Sequence, residues 1–209
     1  MTPKKLSIPD SILCLAAVKY ATQAEIESII KDGFVTLGWS TVQQFRKIHG
    51  NLPSICHHHF IGHLQKNKVN QLMESDIDLI HSVDSIELLE KIDAAASAKG
   101  KIQNVLLQIK TDPTKEDGFS YEEIDRTFPS LIKKSSICIK GLMTIPPAVD
   151  DPEKNRPIYK EMKSFQNALE KKYGVPFPYL SMGMSDDYKI AIEEGATIVR
   201  LGRILFAMV

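Results

Sequence analysis

A lysine stands directly after an apolar run near the start of the 209-residue chain. Residues 12–18 are all apolar, which predicts a strand buried on both faces. Lys19 would then lie at the carboxyl end of that strand, where parallel α/β sheets place their functional sites. Apolar surroundings disfavour a charged ammonium, so the neutral amine could attack a carbonyl group. A solitary lysine at a strand end can equally extend its ammonium into solvent, so other features must decide.

Two glycine-containing turns near the other end of the chain could bind an anion. Residues 181–185 are Ser-Met-Gly-Met-Ser, and Gly202 follows a later apolar stretch. Small residues before a helix leave backbone N–H groups open, and many barrels bind phosphate after strands seven and eight. The Ser185 hydroxyl would contribute, whereas Asp186 and Asp187 must point away. Ordinary turn formation explains the same residues, but a phosphate site paired with a carbonyl-seeking lysine suggests pyridoxal 5′-phosphate (PLP).

Arg200 interrupts an otherwise apolar segment, residues 197–201. An arginine that faces a core needs a partner, and the pyridine nitrogen of PLP is one candidate. A guanidinium stays protonated, so it would donate to an unprotonated ring nitrogen. That arrangement weakens the ring as an electron sink and discourages carbanion chemistry. A surface position or a salt bridge to a carboxylate is the alternative.

The order of elements predicts an α/β protein, a single-domain (β/α)8 TIM-type barrel of residues 1–209. Strict alternation of strands and helices indicates a parallel sheet, and eight units favour a closed barrel. The expected strands are 12–18, 34–37, 55–61, 77–83, 105–109, 137–145, 179–181 and 197–201. The expected helices are 23–31, 41–48, 64–73, one from the cap at 84–85 through 98, 121–133, 151–173, and 186–194 with Ser185 as its cap, followed by a short final turn from Gly202.

The balance of charge excludes some classes of partner. Lys+Arg and Asp+Glu number 26 each, so we expect neither a nucleic acid nor a membrane surface as partner. No stretch approaches the roughly 20 apolar residues of a membrane span, and we expect no signal peptide because residues 9–10 and Lys19 bound the apolar run. Cys14, Cys56 and Cys138 are odd in number and widely spaced, which indicates reduced thiols and a cytoplasmic location.

Four histidines raise the question of a metal site. His57, His58, His59 and His63 are close in sequence, and alternation would place His57 and His59 on one strand face. No cysteine or carboxylate completes a familiar zinc spacing around them. We therefore expect no metal.

At these residues the sequence resembles the pyridoxal-phosphate homeostasis proteins, which are single-domain relatives of the alanine racemase barrel. The resemblance covers nearly the whole chain and is specific when its motifs are taken together. It rests on residues 16–19, 59–68, 83–85, 141–145, 181–187 and 199–202.

The resemblance implies a (β/α)8 barrel that carries PLP as a Schiff base on Lys19. It places the phosphate end against Ser181, Met182, Ser185, Gly202 and the following residue, Arg203, and it places Arg200 at the ring nitrogen. It implies a protein that buffers or delivers the cofactor and so maintains vitamin B6 and amino-acid homeostasis, without enzymatic activity. PLP-dependent apo-enzymes are the implied recipients.

The chain departs from the family pattern in three places. Gly38-Trp39-Ser40 replaces Gly-Glu-Asn after strand two, which removes one contact to the ring. Arg203 replaces a threonine or serine, and its guanidinium could strengthen a phosphate contact or face solvent. The family's first helix is largely missing before residue 12, which could expose one end of the barrel and favour self-association or lower stability. We expect a monomer or a weak homodimer.

Two other functions stay open. A PLP-dependent amino-acid racemase needs a proton acceptor on each face of the substrate α-carbon. Lys19 can serve one face, but the opposing tyrosine of racemases comes from an additional domain, which we do not expect here. The other alternative is a degenerate barrel that no longer binds PLP, because two motifs are altered.

Overall fold

The computed structural model describes residue 6 and residues 8–207 of the chain. Eight parallel strands close into a barrel in sequence order, each paired with its neighbours along the chain and the last with the first. The strands are β1 (Leu13–Ala17), β2 (Thr36–Trp39), β3 (His57–Phe60), β4 (Leu79–Val83), β5 (Gln103–Ile109), β6 (Ile137–Thr144), β7 (Tyr179–Ser181) and β8 (Ile198–Leu201). The predicted (β/α)8 barrel is confirmed.

Helices follow every strand and form the outer layer. They are α1 (Gln23–Lys31), α2 (Val42–Ile48), α3 (Val69–Met73), α4 (Ile86–Ala98), α5 (Tyr121–Leu131), α6 (Arg156–Tyr173), α7 (Tyr188–Glu193) and α8 (Arg203–Phe206). Helices α3 and α6 begin about five residues later than predicted, because 3₁₀ turns at Lys66–Lys68 and Pro152–Asn155 precede them. These changes leave the order of elements intact.

The start of α7 differs from the sequence prediction. Ser185 was expected to cap a helix beginning at 186, but the helix begins at Tyr188 with Asp187 as the preceding residue. The Asp187 carboxylate instead accepts a hydrogen bond from the backbone N–H of Met184 at 2.8 Å. The segment 182–187 is therefore an irregular turn, and the Asp187 carboxylate holds Met184 in place within it.

Gly38 lies inside β2, although the sequence predicted that the strand would end there. It faces the barrel interior, where a Cβ atom would lie 2.2 Å from Cδ2 of Leu15 and 2.9 Å from Cδ1 of Ile61. The glycine thus makes room for apolar side chains of β1 and of the segment after β3. Gly38 is therefore needed for close packing inside the strand, and the prediction that it ends the strand is wrong.

The barrel interior contains a small apolar layer, separate from the large core between barrel and helices. Its fully buried members are Leu15, Leu79, Leu106, Met143 and Ile198. Side chains two residues further along a strand face the same way, so His81 and Arg200 follow Leu79 and Ile198 toward the carboxyl end. A polar layer therefore lies above the apolar one, at the end of the barrel where such folds place their sites.

Candidate functional site

Arg200 is the centre of the polar layer and is only 5% exposed. Its NH1 donates to the backbone oxygen and to Oγ of Ser181, both at 2.8 Å, and its NH2 donates to the backbone oxygen of Thr144 at 2.8 Å. No ion pair among residues 6 and 8–207 involves Arg200. The sequence-level alternative of a surface or salt-bridged arginine is therefore wrong, because all the acceptors are neutral.

The guanidinium keeps its charge in this buried place. Burial lowers the pKa of Arg200 to about 10, and nearby Tyr159 and Asp187 act in the opposite direction. The group is still protonated at neutral pH. A buried cation without a carboxylate partner costs folding free energy, which is typical of a residue kept for a ligand.

Two histidines continue the polar layer from Ser181 across the barrel. Nδ1 of His81 lies 2.9 Å from Oγ of Ser181, and Nε2 of His81 lies 3.0 Å from Nδ1 of His59. Both rings are buried, and burial is the main cause that lowers the pKa of His59 to about 4 and the pKa of His81 well below its usual value. Both are neutral at pH 7, so these four residues form one chain of hydrogen-bonding groups that carries a single charge, on Arg200.

Sequence reasoning did not select His81 for the site. Its signal was available, because His81 interrupts the apolar strand Leu79–Val83 as Arg200 interrupts β8. His59 was considered as a possible metal ligand and as part of a family motif, without a role in the site. The two rings belong to adjacent strands, and the contact between them depends on a strand register that the sequence alone does not give.

The turns after β7 and β8 meet beside the end of β1. The backbone N–H of Gly202 donates to Oγ of Ser185 at 3.4 Å, and a Cβ atom at Gly202 would lie 3.3 Å from the backbone oxygen of Ala17. The first N–H groups of α8 have no acceptor within the helix. Ser185 and Gly202 are therefore in contact, with Arg203 next in sequence, and their role in binding an anion stays a prediction.

The first of these turns requires a glycine. Gly183 has a φ of +88°, and a Cβ atom there would lie 2.5 Å from Cβ of Ala191 in α7. Its backbone oxygen accepts a hydrogen bond from the N–H of Arg200 at 3.0 Å. Gly183 thus lets the turn pack against α7 while it stays attached to β8.

The two aspartates of this turn have different partners. The expectation that both point away from its backbone N–H groups is wrong for Asp187, which accepts a hydrogen bond from the N–H of Met184. Asp187 is buried, and besides Met184 its carboxylate accepts from Nδ2 of Asn155 at 3.0 Å and from the Tyr159 hydroxyl at 2.6 Å. Asp186 is exposed and forms an ion pair with the guanidinium of Arg203. The same pair occupies the Arg203 side chain, which is also exposed.

Lys19 lies two residues beyond β1, at the same end of the barrel. The pairing of β1 with β8 sets Ala16 opposite Leu201, so the chain after Ala17 runs beside Gly202. The Lys19 side chain is exposed, with Nζ 5.2 Å from the ring centroid of Tyr20. The expectation of a desolvated lysine is therefore wrong for this structure. The next residue, Tyr20, has a φ of +69° and is also exposed.

Two of the residues proposed for the phosphate end have other contacts. Ser181 is fully buried, and its hydroxyl contacts Arg200 and His81. Met182 is also fully buried, in the core between barrel and helices, and its backbone N–H donates to Ile198 at 3.1 Å. The structure thus groups Ser181 with Arg200, and groups Ser185 with Gly202 and Arg203.

Trp39 neither blocks nor lines the site. The side chain is fully buried against Phe45 of α2, with ring centroids 5.5 Å apart, and its indole N–H donates to Nδ1 of His58 at 3.1 Å. Because Gly38 faces the barrel interior, Trp39 faces the helical layer. This departure from the family pattern alters the core outside the barrel.

A cavity of about 200 Å³ lies over the β3, β5 and β6 side of the barrel end. His63 at its rim has Nδ1 3.3 Å from Oδ2 of Asp84 and 3.6 Å from Oδ2 of Asp117. Ligand atoms of these three residues lie within 4.8 Å of one another. His57, His58 and His59 take other partners, so the four histidines do not form one cluster. The structure thus brings two carboxylates next to His63, which the sequence spacing did not indicate.

The chain resembles known proteins over most of its length. A family model described as the N-terminal domain of alanine racemase matches residues 14–208. A pyridoxal phosphate homeostasis protein of Aquifex aeolicus is 37% identical over 195 residues, which cover 92% of this chain and 85% of that relative. Another from a Synechocystis species is 36% identical over 204 residues, which cover 96% of this chain and 93% of the relative.

Solved structures agree with these matches. PipY of Synechococcus elongatus PCC7942, with PLP bound, has a TM-score of 0.89 at 30% identity, covering 96% of this chain and 94% of PipY. Alanine racemase of Clostridium difficile has a TM-score of 0.80 at 16% identity and shares the fold, with this chain covering 53% of its length. Within the alanine racemase N-terminal domain class, the chain belongs to the family of pyridoxal phosphate homeostasis proteins.

Proposed function

We propose that this protein binds PLP without catalysing a reaction of its own, and that it buffers or delivers the cofactor. It would thereby maintain vitamin B6 and amino-acid homeostasis. The observation that carries the proposal is Arg200, a buried cation whose acceptors are all neutral, at the same barrel end as Lys19 and Gly202. The PLP named with the PipY structure and the names of the relatives support it.

The residues at the barrel end fit the groups of PLP. When bound, the cofactor supplies an aldehyde and an electron-accepting ring. Lys19 would form a Schiff base: its neutral nitrogen attacks the aldehyde carbon, a C=N bond replaces the C=O bond, and the oxygen leaves as water with the two amine hydrogens. The phosphate would lie at the turns after β7 and β8, against Ser185, Gly202 and Arg203. The Ser181 hydroxyl is already bound to Arg200 and His81, and the Met182 N–H to the backbone oxygen of Ile198, so these two residues would contribute to the shape of the first turn.

Arg200 favours a carrier over an enzyme. A cationic donor at the ring nitrogen keeps that nitrogen unprotonated, because a second positive charge beside the guanidinium is unfavourable. An unprotonated ring withdraws electrons weakly, so it gives little stabilisation to a carbanion. The residues around the cofactor would therefore hold it covalently at Lys19 without promoting racemisation.

We also propose a location, an oligomeric state and recipients for this protein. The three cysteines are free thiols, which supports a reducing, cytoplasmic location. No helix in residues 6 and 8–207 has the length and apolarity needed to cross a bilayer. We propose that residues 1–209 act as one domain, as a monomer or weak homodimer, and that PLP-dependent apo-enzymes receive the cofactor.

Titration with PLP tests the proposal. Purified protein should gain an absorbance band near the edge of the visible range, at one equivalent per chain, and Lys19→Ala should abolish the band. Lys189→Ala is the matched control, because Lys189 is an exposed lysine on the outer helix α7. A wild-type protein that stays colourless would support the degenerate barrel. Conversion of L- to D-alanine that is lost in Lys19→Ala would support the racemase.

A further inference from the structure

The positions of the hydrogen atoms in the buried hydrogen-bond series of Arg200, Ser181, His81 and His59 follow from which of their atoms can donate and which can accept. An arginine only donates, so Oγ of Ser181 accepts from Arg200 at 2.8 Å. A serine hydroxyl has one hydrogen of its own, and the remaining contact of Oγ is Nδ1 of His81 at 2.9 Å. That hydrogen therefore points at His81.

The tautomer of His81 follows from this assignment. If Nδ1 accepts from Ser181, a neutral ring carries its hydrogen on Nε2, which then donates to Nδ1 of His59 at 3.0 Å. The opposite tautomer would donate to Ser181 as Arg200 does, and the serine hydrogen would be left without an acceptor at a fully buried position. An unmade hydrogen bond there costs about 1–3 kcal/mol. Each group therefore donates to the next one, from Arg200 to Ser181, from Ser181 to His81 and from His81 to His59.

We propose that His81 is a positioning residue for PLP: it orients the Ser181 hydroxyl so that its lone pair faces Arg200, and so fixes the guanidinium at the ring nitrogen. The inference rests on the proposed function and deepens it. His81 touches neither the ligand nor Lys19 in this account. It acts on the cofactor through Ser181 and Arg200.

The makeup of the polar layer supports a role beyond folding. The layer below it is made of leucine, methionine and isoleucine, so apolar side chains fill the interior of this barrel without difficulty. Two neutral histidines at the level of Arg200 instead supply hydrogen bonds and add no negative charge. A carboxylate in place of His81 would pair with Arg200 and compete with a ligand, whereas a neutral acceptor holds Ser181 and leaves the guanidinium charge uncompensated.

The test compares two substitutions in PLP-loaded protein. His81→Leu removes the acceptor for Ser181, whereas His81→Asn keeps an oxygen able to accept the same hydrogen. The readout is the ¹⁵N resonance of PLP labelled at the ring nitrogen, recorded as the pH is lowered from about 8 to about 5. In the wild type and His81→Asn we expect the resonance of an unprotonated nitrogen throughout.

In His81→Leu we expect the resonance to move toward that of a protonated nitrogen as the pH falls, because a displaced Arg200 no longer repels the proton. The affinity for PLP should fall about tenfold, the equivalent of one hydrogen bond to a charged group. If His81→Leu does not fold, Ser181→Ala breaks the same link from the other side and should give the same shift.

The outcomes separate the two proposals. Borohydride treatment of the wild type should leave a stable adduct on Lys19. If it leaves none, the proposed function fails and this inference fails with it. If the adduct forms but the ¹⁵N resonance and the affinity in His81→Leu and Ser181→Ala match the wild type, the positioning role of His81 alone is overturned.

Discussion

Arg200 on β8 holds Ser181 on β7 by both its backbone oxygen and its hydroxyl, each at 2.8 Å from the same guanidinium nitrogen. This double contact joins the two strands whose following turns form the anion-binding candidate. It also fixes one side of a buried cation that has only neutral acceptors. The unfavourable free energy of burying this guanidinium therefore arises next to the turns where a ligand would bind.

Arg200→Met should separate the effect of the guanidinium on protein stability from its effect on PLP affinity. Methionine has similar volume and no charge, so the lost hydrogen bonds are offset by the relief of burying an unpaired guanidinium. We expect the free energy of unfolding of the cofactor-free protein to change by less than about 1.5 kcal/mol, and the PLP affinity to fall more than about tenfold. Urea unfolding and absorbance titration measure the two quantities. A large loss of stability with unchanged affinity would show that Arg200 is structural.

Acidification should destabilise the protein through His59. Its folded pKa of about 4 lies below the ordinary value of 6.5, so between those values the unfolded chain binds a proton that the folded protein does not. The free energy of unfolding therefore falls as the pH drops from about 6.5 to about 4, by up to about 3 kcal/mol, and the loss levels off below that range. His81 acts in the same direction.

The measurement is a set of urea unfolding curves for wild type and His59→Asn across this pH range. Carboxylates titrate in both proteins, so their contribution cancels in the difference. We expect the variant to gain on the wild type by about 3 kcal/mol between pH 7 and pH 4. Parallel stability curves would mean that His59 is not held neutral by burial.

The neighbouring aspartates of the β7–α7 turn should respond very differently to removal. Asp187→Ala leaves the Met184 N–H and the Tyr159 hydroxyl without their acceptor, at a cost of about 2–4 kcal/mol. Asp186→Ala removes one exposed ion pair and should change stability by less than about 1 kcal/mol. Thermal unfolding of both variants checks this, and equal losses would refute the anchoring role of Asp187.

Arg203 should affect PLP binding through its charge. Arg203→Ala is expected to weaken PLP affinity about three- to tenfold at low salt, and less at high salt, because its guanidinium lies on the exposed side of the turn. Trp39→Phe is the comparison, since that side chain packs outside the barrel. It should lower stability by about 1–2 kcal/mol and leave affinity unchanged. Identical affinities in wild type and Arg203→Ala would exclude a phosphate contact.

Much of the fold follows from local pattern. The buried runs around Leu15, Leu107 and Val199 have the length of strands, and glycines or caps bound the helices between them. The sequence predicted the end of β2 too early, at Gly38, because a glycine can either end a strand or make room for a neighbouring side chain. It also chose Ser185 over Asp187 at α7, since either residue can cap a helix.

The site was only partly predictable for a related reason. Lys19, Ser185, Arg200 and Gly202 stand at strand ends, which topology alone brings to one side of the barrel. The contact of His81 with Ser181 joins residues 100 positions apart, on β4 and β7 across the barrel interior. Such a contact depends on the tilt and register of the closed sheet, which hydrophobic periodicity does not encode.

The most direct test of the PLP-carrier account is the position of the covalent bond. Protein incubated with PLP should be reduced with borohydride, digested and examined by mass spectrometry, with Lys189→Ala and Lys19→Ala treated alongside. The account predicts one phosphopyridoxyl group per chain, on Lys19, in the wild type and Lys189→Ala, and none in Lys19→Ala. An unmodified Lys19, or equal labelling of many exposed lysines, would contradict it.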